Sequence, residues 1–304
     1  MIKRTIEISQ EPYHLAVELD QLRLHRRENA NGAAPSIPCE DIGIVVVDHP
    51  AATYSHAALA RLIEFGAAVV ICGRNHLPSG LLLPLSDHTE CVSRLHEQIR
   101  ASRPLRKRLW KQVIRAKIRN QAANLRSGTP AHGRLLAMIK EVRSGDPTNI
   151  EAQAARIYWS EWLDADFPFQ RDADAEEGVN TLLNYGYAIM RAAVGRAIVS
   201  AGLHPAIGLH HSNRSNAFCL ADDLLEPLRP MVDRVVRDLV SVGKTQLNRE
   251  TKAILLQMLT LTIRVGKAAG PLMVGLHRVA ASLVECFQGL HTRLQLPQEV
   301  SIDG

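Results

Sequence analysis

The sequence predicts an α+β protein in which a small strand-rich N-terminal domain precedes a larger all-α domain. Two textures along the 304 residues carry this expectation. Up to about residue 88, apolar residues alternate at period two or gather in β-branched runs; beyond it they recur at helical spacing over long stretches. The expected division is a strand-rich domain at 1–88, a linker helix at 89–100 and a helical domain at 101–304.

In the first domain, Thr5 to Ile8, Leu15 to Leu19 and Leu22 to Leu24 alternate, and Ile42 to Val47 is a β-branched run, so each is read as a strand. Asn31 to Ser36, with Gly32 and Pro35, reads as a loop. The spacing of Ala58, Leu59, Leu62 and Phe65 predicts one helix over 55–65, followed by a strand over 67–72. A turn at Asn75 to Gly80 then leads into Leu81 to Leu83. In the second domain the helical period predicts helices at 90–101, 104–125, 133–143, 150–163, 178–201, 230–242 and 247–290, the last broken near Gly270-Pro271. An acidic loop is expected at 164–177.

Composition excludes some classes. Aromatic residues make up 4% of the chain, too few for a protein that recognises single strands by stacking their bases. Five cysteines (Cys39, Cys72, Cys91, Cys219, Cys286) form no CxxC pair and are odd in number, so neither a zinc ribbon nor a disulfide framework is indicated. The N-terminus lacks the apolar core of a secretion signal, and no apolar run approaches the roughly 18 residues of a membrane span. A soluble, cytoplasmic protein without membrane contact is expected. The formal net charge of +5 is compatible with an anionic partner.

Three stretches carry possible chemistry. In Leu220-Ala221-Asp222-Asp223-Leu224-Leu225-Glu226-Pro227, a helix would place Asp222 and Asp223 four and three residues before Glu226 on one face, near the pair His210-His211. A metal site and a solvated acidic face both fit that spacing. Pro227 removes an amide donor and disfavours helical geometry in the residue before it, so the helix should kink or end around Glu226. Asp146-Pro147-Thr148-Asn149-Ile150-Glu151 reads as a turn, an Asn N-cap and a helix opening, which puts Glu151 in a first turn where its charge is favourable whatever its role. From Arg100 to Arg119 there are nine Lys or Arg and no acid. Such a run repels itself unless something anionic neutralises it, so nucleic acid and a solvated face are both open, with Arg103, Arg106, Lys107, Arg108 and Lys111 as candidate phosphate contacts.

Taken together, these motifs resemble the Cas-one family, the CRISPR-associated endonuclease/integrase of the spacer-acquisition module. The likeness spans nearly the whole chain: the strand-rich domain, then Asn149-Ile150-Glu151-Ala152-Gln153-Ala154-Ala155-Arg156-Ile157-Tyr158-Trp159, then Gly202 to His211, then Asn216 to Pro230. The compact size, the Asn75 to Gly80 turn and the Ala-Asp-Asp-Leu-Leu-Glu-Pro form look most like the branch of type II CRISPR systems. The resemblance implies that Glu151, His211 and Glu226 are the catalytic metal ligands, with Asp223, His210 and Tyr158 as possible supports and His210 as the fallback for His211. It also implies that the helical domain is catalytic and DNA-binding, and that the strand domain dimerises. His76, in the turn of the strand domain, is read as a loop histidine or a contact to a DNA end.

Two glutamates and an imidazole would suit Mg²⁺ or Mn²⁺. In the family a protospacer 3′-hydroxyl attacks a phosphodiester at the edge of a CRISPR repeat, and water in its place gives nuclease activity. The implied partners are double-stranded DNA (protospacer and repeat), a second copy in a homodimer, and a dimer of the small Cas-two protein bridging two such dimers; an RNA-guided effector is left open. The competing readings are a non-catalytic DNA-binding scaffold of the adaptation complex and a metal-dependent phosphohydrolase.

Overall fold

The N-terminal region of this computed structural model carries two sheets; the residues described are 3–26, 35–85, 88–163, 167, 169–175 and 177–298. Strands β1 (Arg4–Ile8), β2 (Tyr13–Glu18), β3 (Gln21–Arg26), β4 (Ser36–Pro38), β5 (Ile42–Val47) and β6 (Thr53–Tyr54) precede helix α1 (His56–Glu64), β7 (Ala68–Cys72) and β8 (Pro78–Leu82). One sheet has the order β1-β5-β7-β8, with β1, β5 and β7 parallel; the other has the order β4-β3-β2-β6. The expected loop at Asn31 to Ser36 lies outside the described residues apart from Pro35 and Ser36, and parts of the acidic 164–177 segment lie outside them too.

β5 is buried along its whole length because it is covered on both faces. Val45 and Val47 point into a small core with Ile6, Ile8, Leu15, Leu22 and Leu62. Ile44 and Val46, the alternate residues, join Ala68 and Val70 in a larger core shared with the helices. Period two therefore ties the strand-rich region to the rest of the chain. Two polar contacts strengthen the join: Lys252 pairs with Asp48, both buried, and Arg196 Nε donates to the Gly66 carbonyl at 2.6 Å.

The helices follow in order: α2 (Cys91–Arg100), α3 (Arg103–Asn124), α4 (Pro130–Glu141), α5 (Ile150–Glu161), α6 (Val179–Ser200), α7 (Cys219–Leu225), α8 (Arg229–Ser241), α9 (Arg249–Gln257) and α10 (Leu272–Phe287). α3 starts where Ser102 accepts from the Leu105 amide and Pro104 occupies the first turn, where a missing amide is harmless. α6 is apolar nearly all round and runs through the larger core.

The α+β class holds, but the segment 247–290 is not one helix broken at Gly270-Pro271. Asn248 and Thr251 cap α9 reciprocally. A turn of 3₁₀ helix at Met258–Thr260 follows, then an antiparallel hairpin of β9 (Thr262–Val265) and β10 (Ala268–Pro271), and only then α10. The C-terminal strand β11 (Pro297–Gln298) joins the other edge of β9. The physical signal was Thr262-Ile263-Arg264-Val265, which alternates at period two with Ile263 and Val265 buried. Gly266, at φ 63°, turns the chain between the two strands.

Candidate active site

Glu151 is delivered by the opening of α5. Asn149, in the left-handed region at φ 51°, is the N-cap and accepts from the Ala152 amide. Asp146 adds a second cap, its carboxylate accepting from the amides of Ile150 and Glu151 at 2.9 and 3.0 Å. The first turn is thus pinned from two side chains, and Glu151 extends from it toward α3.

Glu226 is delivered by the expected interruption. α7 stops at Leu225, Glu226–Leu228 forms one turn of 3₁₀ helix around Pro227, and α8 restarts at Arg229 with Pro230 in its first turn. The carbonyls of both prolines accept from α3: Asn120 Nδ2 donates to Pro227 O at 2.7 Å, and Asn124 Nδ2 to Pro230 O at 2.5 Å. The kink is therefore anchored, and the Glu226 side chain is almost wholly buried.

Lys117 joins the two glutamates. Its ammonium lies 2.5 Å from Glu151 Oε1 and 2.5 Å from Glu226 Oε2, and Arg229 Nε donates to Glu226 Oε1 at 2.8 Å. Burial would raise the Glu226 pKa, but the charges of Arg229 and Lys117 outweigh it and hold the carboxyl down at about 2. Burial likewise works against the Lys117 ammonium, while Glu226 and Glu151 overcome it and keep its pKa above the ordinary value.

His211 is fixed separately. Its Nδ1 is 2.6 Å from Asp223 Oδ1, and the same carboxylate accepts from the amides of Leu209, His210 and His211. Gly208 makes this loop possible, since a Cβ there would come 2.4 Å from the His211 carbonyl and 2.8 Å from Asp223 Oδ2. The hydrogen bond to Asp223 raises the His211 pKa, with the charge of Glu226 adding to it. Fixing Nδ1 leaves Nε2 as the nitrogen that could meet a metal ion, the arrangement in which a carboxylate orients a ligating imidazole.

The remaining expected residues have distinct places. Asp222 and Asp223 do not act with Glu226 as a convergent set: Asp222 pairs with Arg191, Asp223 with His211, and Glu226 with Lys117 and Arg229. His210 stacks flat on Trp110 at 4.4 Å, while His211 meets the same ring edge-on. Tyr158 is fully buried, its hydroxyl accepting from Asn124 Nδ2 at 3.0 Å. Behind Glu226, Arg229 lies over the Tyr187 ring, and the Tyr187 hydroxyl donates to buried Asp233, whose pKa burial pushes up to about 7. His76 is hydrogen-bonded to Asp48 at 3.0 Å.

The basic run divides. Arg103, Lys107 and Arg108 are exposed and Lys111 is half-buried, whereas Arg106 donates to the last carbonyls of α2, at Gln98 and Ile99. Lys117 was counted in that run only as a positive charge. Its inward placement had a signal: Lys117, Asn120, Gln121 and Asn124 recur at helical spacing, and all four are buried on α3.

The donor set suits a hard divalent ion, with two carboxylates and an imidazole nitrogen. The ammonium of Lys117 already stands as a cation between the carboxylates, and Glu226 Oε2, beside it, makes no well-formed hydrogen bond. Among the described residues, no three His, Cys, Asp or Glu side chains yet converge on one point. An ion would have to displace Lys117 from this pair.

A family model for CRISPR associated protein Cas1 matches residues 7–261. The chain belongs to the Cas1 family. The CRISPR-associated endonuclease Cas1 of Neisseria meningitidis serogroup C (strain 8013) is 35% identical over 269 residues, covering 86% of this chain and 87% of that protein. The fold of this Cas1 family member also resembles a casposase solved bound to its integration product, with a TM-score of 0.78 at 20% identity, covering 96% of this chain and 92% of the casposase. A Cas6-RT-Cas1–Cas2 complex contains a chain with a TM-score of 0.78 at 16% identity, of which this chain covers 36% while 98% of its own length is matched. Among the described residues, no helix is long and apolar enough to cross a membrane.

Proposed function

We propose that this Cas1 protein is the integrase of CRISPR spacer acquisition, joining protospacer DNA to the repeat by attack of a 3′-hydroxyl on a repeat phosphodiester. The observation that carries the reading is the meeting of Glu151 and Glu226 at one buried cation, with His211 fixed by Asp223 near enough to Glu226 to feel its charge. Glu151, Glu226 and His211 Nε2 would hold Mg²⁺ or Mn²⁺, which when bound polarises the scissile phosphate and lowers the pKa of the attacking hydroxyl.

The chain's own residues prepare that binding. Arg229 keeps Glu226 ionised in a buried setting, so it stays a ligand at any pH near neutrality. Asp223 fixes the ring of His211 through Nδ1, which leaves Nε2 as the nitrogen to meet an ion. Lys117, once released from the glutamates, is positioned to offer its ammonium to a non-bridging phosphate oxygen.

The Cas1–Cas2 complex among the structural neighbours supports a partnership with Cas2, to which this reading adds a homodimer, a bridging Cas2 dimer and a cytoplasmic setting. A TtCas1 solved in complex with DNA supports DNA as the substrate, which this reading takes as double-stranded. A second reading, a DNA-binding scaffold, draws on the Lys117 bridge, which neutralises both carboxylates without a metal.

Strand transfer separates the two. The protein and its small partner are incubated with a duplex bearing free 3′-hydroxyls, a plasmid carrying the repeat array, and Mn²⁺ or Mg²⁺. Joining by wild type and none by Glu151→Ala, His211→Ala or Glu226→Ala is expected. Failure of the wild type to join while it still binds DNA and partner favours the scaffold.

A further inference from the structure

We propose that the groove between α3, the β9–β10 hairpin and the C-terminal strand is a second DNA site, which holds the phosphodiester backbone of a duplex on the side of α3 opposite the carboxylates. The choice of DNA as the polyanion rests on the integrase reading; the site itself rests on the groove's construction. The groove encloses 790 Å³, and among the described residues its walls carry Arg115, Arg119, Lys267, Arg278 and Arg293 but no Asp or Glu.

Arg115 donates to the Lys140 and Val142 carbonyls, and the other four charges are without a carboxylate partner among the described residues. Among the described residues, Arg119, Lys267, Arg278 and Arg293 make no ion pair, while Arg61, Arg134 and Arg191 each sit against a carboxylate within 3 Å. Five cations facing one concavity repel one another, and a concave wall focuses their field, so the arrangement favours a polyanion that releases its own counterions. Guanidinium groups match phosphate geometry, and among the described residues no aromatic side chain lines the groove. Without a stacking surface, it suits the backbone of a duplex rather than the bases of a single strand.

The groove is also a built feature rather than a loose surface. Gln112 on α3 donates to Thr292 O and accepts from the Leu294 amide, both at 3.0 Å. Ser282 on α10 accepts from the Gln295 amide at 3.1 Å, and Asn120 donates to Pro297 O at 3.3 Å. The C-terminal segment is thereby laced to two helices. Gly266 lets the hairpin turn close beside Gln295, where a Cβ would stand 2.7 Å from its Oε1. Arg115 and Arg119, four residues apart, share a face of α3, and Lys117, two residues from each, points about 200° away. The same helix therefore separates the two sites, while Asn120 touches both, reaching Pro227 beside Glu226 and Pro297 at the groove.

The test is duplex binding by fluorescence anisotropy as a function of NaCl, for wild type and for the combined variant Arg119→Ala, Lys267→Ala, Arg278→Ala and Arg293→Ala. Each phosphate contact contributes about 0.9 to the log–log salt slope, so the variant's slope should fall by roughly three to four and its affinity by at least about tenfold near 0.1 M salt. The pairs Arg119→Ala/Lys267→Ala and Arg278→Ala/Arg293→Ala, each expected to give about half the loss, keep the test open should the fourfold variant melt early. An unchanged slope and affinity in folded variants would overturn the proposal, as would variants that lose only assembly with the small partner while binding DNA normally. If wild type fails to join strands but the salt slope still drops in the variants, the integrase reading falls and the groove stands; joining by wild type with an unaltered slope in the variants removes the groove alone.

Discussion

Lys117 and Arg119 stand two residues apart on one helix in opposite circumstances. Lys117 is buried between two glutamates; Arg119 is exposed, with no carboxylate partner among the described residues. As letters they belong to one basic run. The difference shows that a charge takes its partners from the face it occupies: inward, Lys117 draws two carboxylates together; outward in a concave wall, Arg119 stands ready for the proposed anion.

The largest expected effect tests the inward face. Glu226→Gln should lower strand transfer by roughly a thousandfold or more, because it removes a carboxylate from the proposed ion. It should also change the pH dependence of stability. Glu226 has a folded pKa of about 2 against an ordinary 4.5, so its contribution is full above pH 4.5 and lost as pH falls toward 2. Chemical denaturation across that range should show a shallower acid limb for the variant; an identical limb would place the charge cluster elsewhere.

Next in size is Lys117→Met. Removing the ammonium leaves two carboxylates facing each other, one of them buried, and should cost about 3 kcal/mol in the absence of divalent ions. If Lys117 holds the place of a cation, Mn²⁺ should raise the melting temperature of the variant more than that of wild type. Equal shifts in the two proteins would mean that the ammonium and the ion do not compete.

Gly208→Ala should cost about 1–3 kcal/mol, since the added methyl meets the His211 carbonyl and Asp223. A variant with wild-type stability and an unshifted His211 titration by NMR would show that the loop yields freely. Asp233→Asn probes the layer behind Glu226. Burial raises the Asp233 pKa from 3.8 to about 7, so the folded state retains a proton that the unfolded chain releases, and stability is lost as pH rises from about 4 through 7. The Asn variant should flatten that slope, as measured by denaturant midpoints at several pH values. The smallest effect is expected of Pro227→Ala, below about 1 kcal/mol in stability. If it also leaves Mn²⁺ affinity and strand transfer unchanged, the 3₁₀ turn does not depend on the proline for aiming Glu226.

The site was readable where the local chain decides geometry. Asn149 announced the start of α5 and with it the position of Glu151; Pro227 announced the break at Glu226. The β-branched run of Ile42 to Val47 announced a strand, though not that it would serve two cores. The hairpin at Thr262–Pro271 was lost because a four-residue alternation is short beside the helical segments that flank it.

Spacing within one helix tells which residues share a face, and the motifs around Glu151, His211 and Glu226, taken in order with their flanks, were specific enough to indicate the family. Spacing could not tell that these three acids would turn to Arg191, His211 and Lys117, since each partner comes from another element. Nor could it divide the basic run between an interior cluster and an outer groove. Dihedral preferences and caps act over a few residues and are written in local order, whereas the energy of a charge depends on what burial and packing bring within a few ångströms of it, and for Lys117 that is decided by chain segments that meet only when the protein is folded.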